Sequence, residues 1–362
     1  MSPKKIGPAR RSHPAHRSVS LKQLADHLGL SPATVSVVIN RAAVADTISQ
    51  DTKDLILAAA RKFNYRPNFF ARSLRTQRSL TIGVMVPEVS DGYATGVLSG
   101  IEDYLLQEGY FYFVASHRHR ADLIDEYPKL FLDRAVDGII AVDTPWRHKL
   151  RVPVVTVSGH NEAPGIVNVV LDHELAADLA LKHLVGLGHR HIAFIKGQAF
   201  SSDTDVRWDA ILDVTAKLRI SVSPELTVQM EGDSPSPHLG YEVTATLIKS
   251  RRPFTAIFAF NDISAMGAIR ALHESGLRVP EDVSVVGFDD IESAAYQNPG
   301  LTTVRQPLRK MGAIAAETVL HSVRTPSVRS KTKQITVAPE LVVRGTTSPM
   351  KCPVSLAPAK NR

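Results

Sequence analysis

The sequence predicts an α-helical helix-turn-helix DNA-binding domain and a short hinge helix, joined to a two-lobed α/β core built on parallel sheets. Three observations carry this. The segment LKQLADHLGLSPATVSVVIN (21–40) holds two short helices joined by a tight turn. From Leu80 onward, continuous apolar strands alternate with helices, the pattern of parallel sheets covered on both faces. That alternation runs through two rounds, which divides the core into two doubly wound lobes with a cleft between them.

In the first helix Leu21, Leu24, Ala25 and Leu28 recur at helical spacing, and Gly29 supplies the positive φ that turns the chain. Ser31 caps the second helix, with Pro32 where a missing N–H costs nothing. Val35, Val38 and Ile39 form its inner face, leaving Pro32, Ala33, Thr34, Ser36 and Val37 outside. In a helix-turn-helix this second helix enters the major groove, its first residues on base edges. A loop over 41–48 leads to a third helix over 49–63, capped by Ser49, with Leu55, Ile56, Ala59 and Phe63 on its apolar face. Pro67 breaks that helix, and 68–74 could form about two turns, too few to be stable alone in water.

In the core, strands fall over 81–87, 110–116, 137–143 and 153–158, with helices over 93–108 and 121–134. The second round has helices over 174–187, 207–218, 238–249, 262–274 and 308–321. Its strands fall over 191–197, 227–233, 256–260, 282–290 and 333–344. Ligands of such folds bind outside the carboxyl ends of the strands, so the cleft collects side chains from strand ends and the loops after them.

Charge separates the two parts. Residues 1–79 hold 14 Lys/Arg against 4 Asp/Glu, a balance of +10, whereas the whole chain carries +7. The excess cation coincides with the helix-turn-helix, as phosphate neutralisation requires. Cys352 is the only cysteine, which excludes an intrachain disulfide and suits a cytoplasmic protein. The basic, Pro-rich start has no apolar stretch of a signal peptide, and 1–17 and 349–362 read as disordered ends. His183, His189 and His191 lie on a helix and a strand start with no cysteine or carboxylate cluster, so neither a metal site nor a cofactor is expected. The chain lacks a G-x-x-x-x-G-K loop, a strand-linked G-x-G-x-x-G and a G-x-S-x-G elbow, which argues against an enzyme.

From about Val19 to Thr347 the chain resembles the LacI/GalR family of bacterial transcriptional regulators. The resemblance rests on LADHLGLSPATVSVVIN (24–40), NYRPNFFARSL (64–74), GYFYFVAS (109–116), RAVDGII (134–140), LGHRHIAFI (187–195), the segment from Ala259 to Asp290 and LTTVRQP (301–307), in that order. It implies a helix-turn-helix domain over 18–65 and a hinge over 66–79. It also implies a periplasmic-binding-protein-like (type I) core, with one lobe from 80–172 and 306–336 and the other from 173–305 and 337–348. The implied protein is a homodimer on pseudo-palindromic operator DNA, a repressor located with the nucleoid. A small polar metabolite would bind between the lobes and control it, by default a sugar or sugar derivative, although Asp, Asn and Arg at such positions also fit a nucleobase.

Residue by residue, Pro32, Ala33 and Val37 match the family's base-reading positions, and Ser31, Thr34, Ser36 and Asn40 its backbone contacts. Leu74 matches a leucine that wedges into the minor groove, flanked by Asn68 and Arg72. Asp289 and Arg207, the latter opening its helix, match residues that point into the cleft. Asp172 and Asn261 end strands, and Tyr93, Ser158 and Gln306 match lining positions. Asp262 and Asp290 read instead as helix caps. The chain departs from the family in three places: Val37 stands where many relatives carry a polar residue, the 41–48 loop is about three residues long in excess, and Ala210-Ile211 replaces a Gly-Phe after Arg207. An exported solute-binding protein with the same core is the competing reading, disfavoured by the helix-turn-helix and the missing signal peptide.

Overall fold

The computed structural model describes residues 19–40, 43–65, 78–90, 92–159, 165–232, 236–325 and 334–350. It divides into two units, Met1–Ser79 and Leu80–Arg362. The expected arm, the hinge helix with Asn68, Arg72 and Leu74, and the tail from 351 lie outside the described residues.

In the first unit, α1 (Leu21–Leu28) is capped by Ser20 in a reciprocal box with Gln23, and Gly29 ends it at φ 66°. Next, α2 (Pro32–Ile39) starts on the Ser31 hydroxyl, which accepts from the Thr34 N–H at 3.1 Å. A 3-10 turn over Ala43–Thr47 occupies the long loop, and α3 (Gln50–Lys62) starts on Ser49. Leu24, Ala25, Val35, Val38, Ile56 and Ala59 form the buried core, with Leu21, Leu28, Ile39 and Phe63 packed against it. Leu55 departs from expectation: it is 53% exposed. The inner face of α3 follows Ile56, Ala59, Ala60 and Phe63, and a residue one position before Ile56 lies about 100° round the helix.

In the second unit, two six-stranded sheets form in the orders β11-β5-β4-β3-β1-β2 and β12-β10-β9-β8-β6-β7. The first contains β1 (Thr81–Val86), β2 (Phe111–Ser116), β3 (Gly138–Val142), β4 (Val154–Val157), β5 (Val167–Leu171) and β11 (Gln334–Val337), all parallel. The second contains β6 (Ile192–Lys196), β7 (Thr227–Gln229), β8 (Ala256–Ala259), β9 (Ser284–Asp289), β10 (Thr302–Arg305) and β12 (Glu340–Val342). Only β12, on β10, is antiparallel among these described strands. The helices are α4 (Gly92–Gln107), α5 (Ala121–Asp133), α6 (His173–Gly186), α7 (Ser202–Lys217), α8 (Pro237–Lys249), α9 (Asp262–Glu274), α10 (Glu292–Ala295) and α11 (Leu308–Arg324).

Several elements differ from the sequence reading. The short strands β5 and β10 and the single turn α10 were not expected. The run over 333–344 is not one strand: it breaks at Ala338-Pro339, and its halves join different sheets. Proline lacks the N–H a continuous ladder needs. Helix α7 begins at Ser202, so Arg207 sits in its second turn rather than opening it. In the first lobe α4 and α11 pack backbone to backbone, because a Cβ on Gly100 would lie 1.8 Å from the Arg309 carbonyl oxygen. No described helix is long and apolar enough to cross a membrane.

Candidate functional site

The parallel topology brings the carboxyl ends of β3, β4 and β9 towards the cleft, and the backbone is strained there. Asp143, Ser158, Asp289 and Asp290 all have positive φ, at 39°, 53°, 107° and 56°. Non-glycine residues adopt such angles at a cost that the surrounding structure must hold.

Around these ends the structure assembles five of the seven residues expected to line the cleft: Tyr93, Ser158, Arg207, Asp289 and Gln306, all buried. Tyr93 donates its hydroxyl to Ser158 Oγ at 2.8 Å. Arg207 donates through one Nη to Asp203 Oδ2 at 3.1 Å and through the other to the Phe260 carbonyl. Its guanidinium lies 3.7 Å from the Phe288 ring centroid and 4.4 Å from that of Phe260. Pairing and stacking offset the cost of burying this charge. His173 faces Asp203 at 3.5 Å and stacks on Phe288. Gln306 donates from Nε2 to Asp289 Oδ1 at 2.6 Å.

Burial pushes the Tyr93 phenol well above its ordinary range, and the carboxylates of Asp203, Asp143 and Asp289 push it further in the same direction. These four side chains therefore form one electrostatic neighbourhood.

The other two candidates serve as helix caps. Asp172 Oδ1 accepts from the Leu175 N–H at 2.9 Å at the start of α6, and Asn261 forms a reciprocal box with Ser264 at the start of α9. Asp262 is consequently not the cap. It is buried, with Oδ1 accepting from Thr303 Oγ1 at 2.5 Å and Oδ2 from the Ile291 N–H at 2.9 Å. Asp290 is not a cap either, and pairs with Arg305 at 2.7 Å and Arg344 at 2.6 Å.

The sequence reading missed Asp143, Asp203, His173, Phe260 and Phe288. Asp143 was recoverable, since it follows the apolar strand GIIAV at a strand end. Asp203 stands four residues before Arg207, a helical pairing distance hidden by the misplaced start of α7. Asp143 joins the lobes: it accepts the Ser202 N–H at 3.1 Å and the Ser202 hydroxyl at 2.7 Å. It thereby caps α7, whose own Ser201 makes no side-chain cap bond. His119 lies tilted against Phe200 in the same region, with ring centroids 3.8 Å apart. Beside Gln306 a groove of about 990 Å³ opens, lined by Gly92, Gly96, Ile291, Tyr296 and Leu308.

On the first unit, Ser31, Pro32, Ala33 and Asn40 are exposed and Thr34, Ser36 and Val37 half-buried. The Ser31 and Thr34 hydroxyls lie 2.8 Å apart, and Asn40 Nδ2 donates to the Ser36 carbonyl at 2.7 Å. These bonds fix short polar side chains on the open side of α2. Among the described residues no cluster of metal-ligating side chains occurs.

Comparison with known proteins agrees with both parts. Residues 20–68 match the family described as "Bacterial regulatory proteins, lacI family" and residues 181–347 a periplasmic binding protein-like domain. The HTH-type transcriptional repressor PurR of Aliivibrio fischeri (strain MJ11) is 31% identical over 333 residues, covering 90% of this chain and 97% of the relative. Among solved structures, the Lac repressor dimer bound to operator and the anti-inducer ONPF has TM-score 0.78 at 27% identity, covering 92% of this chain and all of that one. A LacI family transcriptional regulator from Enterococcus faecium with bound ribose has TM-score 0.66 at 26% identity, covering 75% of this chain and 100% of that one. The chain thus belongs to the LacI family of bacterial transcriptional regulators: a DNA-binding regulator with a periplasmic-binding-protein-like core, and not an enzyme.

Proposed function

We propose that this protein is a transcriptional repressor whose hold on its operator is controlled by a small polar metabolite bound between the core lobes. The observation that carries this is a set of buried polar groups gathered around the strand ends (Tyr93, Ser158, Arg207, Asp289 and Gln306), in the same chain as an exposed reading helix. A sugar or sugar derivative is the ligand class favoured, in keeping with the ribose-bound relative. The acting form is a homodimer on a pseudo-palindromic operator at the nucleoid, in keeping with the operator-bound dimer. Edge strand β2, with Phe111 60% exposed and Val114 also open, offers an apolar face for the second copy.

On DNA, Pro32, Ala33 and Val37 meet base edges, and Ser31, Thr34, Ser36 and Asn40 hold phosphates. Val37 makes no hydrogen bond, so it suits a thymine methyl. Asn68 and Arg72 flank the operator centre and Leu74 wedges into its minor groove, where the kink permits further contacts. Ligand controls affinity only if it binds two states of the core unequally. The Asp143–Ser202 contact spans the cleft, so parting the lobes would break it.

The test uses full-length protein on an operator found by genomic mapping. Asp289→Ala keeps operator binding and loses the response to ligand; a normal response would show the cleft assignment to be wrong. Leu74→Ala weakens operator binding and reduces the bend, and unchanged affinity and bend would rule out the wedge.

A further inference from the structure

We infer that the effector is a neutral or amine-bearing compound, rich in hydrogen-bond donors and carrying no phosphate or carboxylate where it meets the cleft. This rests on the effector reading above and narrows it.

The first argument is Gln306. Asp289 Oδ1 requires a donor, so Gln306 must turn Nε2 toward it, which fixes the amide. Oε1 is then left buried with no hydrogen-bond partner among the described residues, in a side chain only 3% exposed. A buried acceptor without a donor is costly, and a ligand O–H or N–H removes that cost. Gln306 also lines the adjacent groove, which gives a ligand a route to it.

The second argument is charge. Asp143, Asp203 and Asp289 act together on the Tyr93 phenol, each opposing negative charge at its oxygen, after desolvation as the leading cause. An anionic ligand group in the same place meets the same three carboxylates.

The third argument is the state of Arg207. Both of its Nη groups are held, by Asp203 and by the Phe260 carbonyl, and phenyl rings cover its faces. Bidentate capture of phosphate or carboxylate needs two parallel N–H groups presented together. Among its nitrogens Nε is the one buried without a partner, and its single N–H suits a hydroxyl or carbonyl oxygen.

The experiment is thermal unfolding of the full-length protein with a bacterial metabolite extract divided by ion exchange into cation-retained, unretained and anion-retained fractions. The cation-retained or unretained fraction should raise the melting temperature. Gln306→Leu should lower the potency of that fraction about tenfold, the size of one lost hydrogen bond. A higher melting temperature produced by the anion-retained fraction alone overturns the inference while leaving the effector reading intact. If no fraction changes the melting temperature, the effector reading fails and the inference falls with it. Unchanged potency in folded Gln306→Leu overturns the inference through its first argument. If that variant does not fold, the wild-type fractions decide alone.

Discussion

Arg207 shows how much one side chain can be asked to do. It is 4% exposed, yet it carries a charge that must be paired, a plane that must be stacked and two hydrogen bonds. Only a guanidinium meets all of these at once, because its fork and its flat faces are fixed relative to each other. Lysine keeps the charge but is a point donor on a flexible stem. Arg207→Lys should therefore lower stability by about 1–3 kcal/mol, since Asp203 or the Phe260 carbonyl loses its donor. Urea titration of variant and wild type measures this, and a difference within error would show that the sandwich contributes little. Sequence placed Arg207 in the cleft but could not show its partners. Asp203 lay in a polar run, SSDTD, which reads as loop until the cap is seen to come from elsewhere.

That missing cap belongs to the element scale. Helix α7 starts at Ser202 because Asp143, some 60 positions earlier and on the other lobe, accepts the Ser202 N–H. Local sequence carries no signal for a cap supplied across a cleft. The elements read correctly were those whose periodicity is their own: the apolar strands β1, β3, β6, β8 and β9, and the helix pair α1 and α2 with its serine caps and Gly29. Elements that were lost were short, as in the five-residue strand β5, the four-residue strand β10 and the single turn α10, or were cut by Pro339. Five of the expected lining residues come together around the strand ends, whereas Asp172 and Asn261, identical in pattern, make helix-cap bonds. Asp143→Ala removes the acceptor at the α7 N-terminus, worth about 1 kcal/mol for a cap. Amide exchange over 202–205 should accelerate about fivefold without added ligand, and no change there would mean that Asp143 does not hold the helix.

At the scale of the whole molecule, two buried titratable groups in different lobes act on stability with opposite sign over one pH range. His117 accepts the His119 N–H at Nδ1, and Thr144, whose hydroxyl donates to the Val142 carbonyl, leaves its oxygen to accept from His117 Nε2. The imidazole is thus held neutral, and burial followed by His119 lowers its pKa from 6.5 to about 4. Between those values the unfolded chain binds the extra proton, so this group makes stability rise with pH. Burial raises the Asp262 pKa from 3.8 to about 7, only partly countered by Thr303 and the Ile291 N–H. There the folded chain holds the extra proton, so stability falls as pH rises toward 7. A tenfold difference in proton affinity between folded and unfolded chains corresponds to about 1.4 kcal/mol, so both effects reach a few kcal/mol and largely cancel in the native protein. Substitution exposes the surviving partner. In Asp262→Asn the amide donates to Thr303 and accepts from Ile291, mimicking the neutral acid, and the melting temperature relative to wild type should climb from pH 4.5 to 6.5. His117→Gln should show the reverse, a relative decline over the same interval. Difference curves that stay parallel to wild type for both variants would show that neither group titrates differently in the folded and unfolded chains.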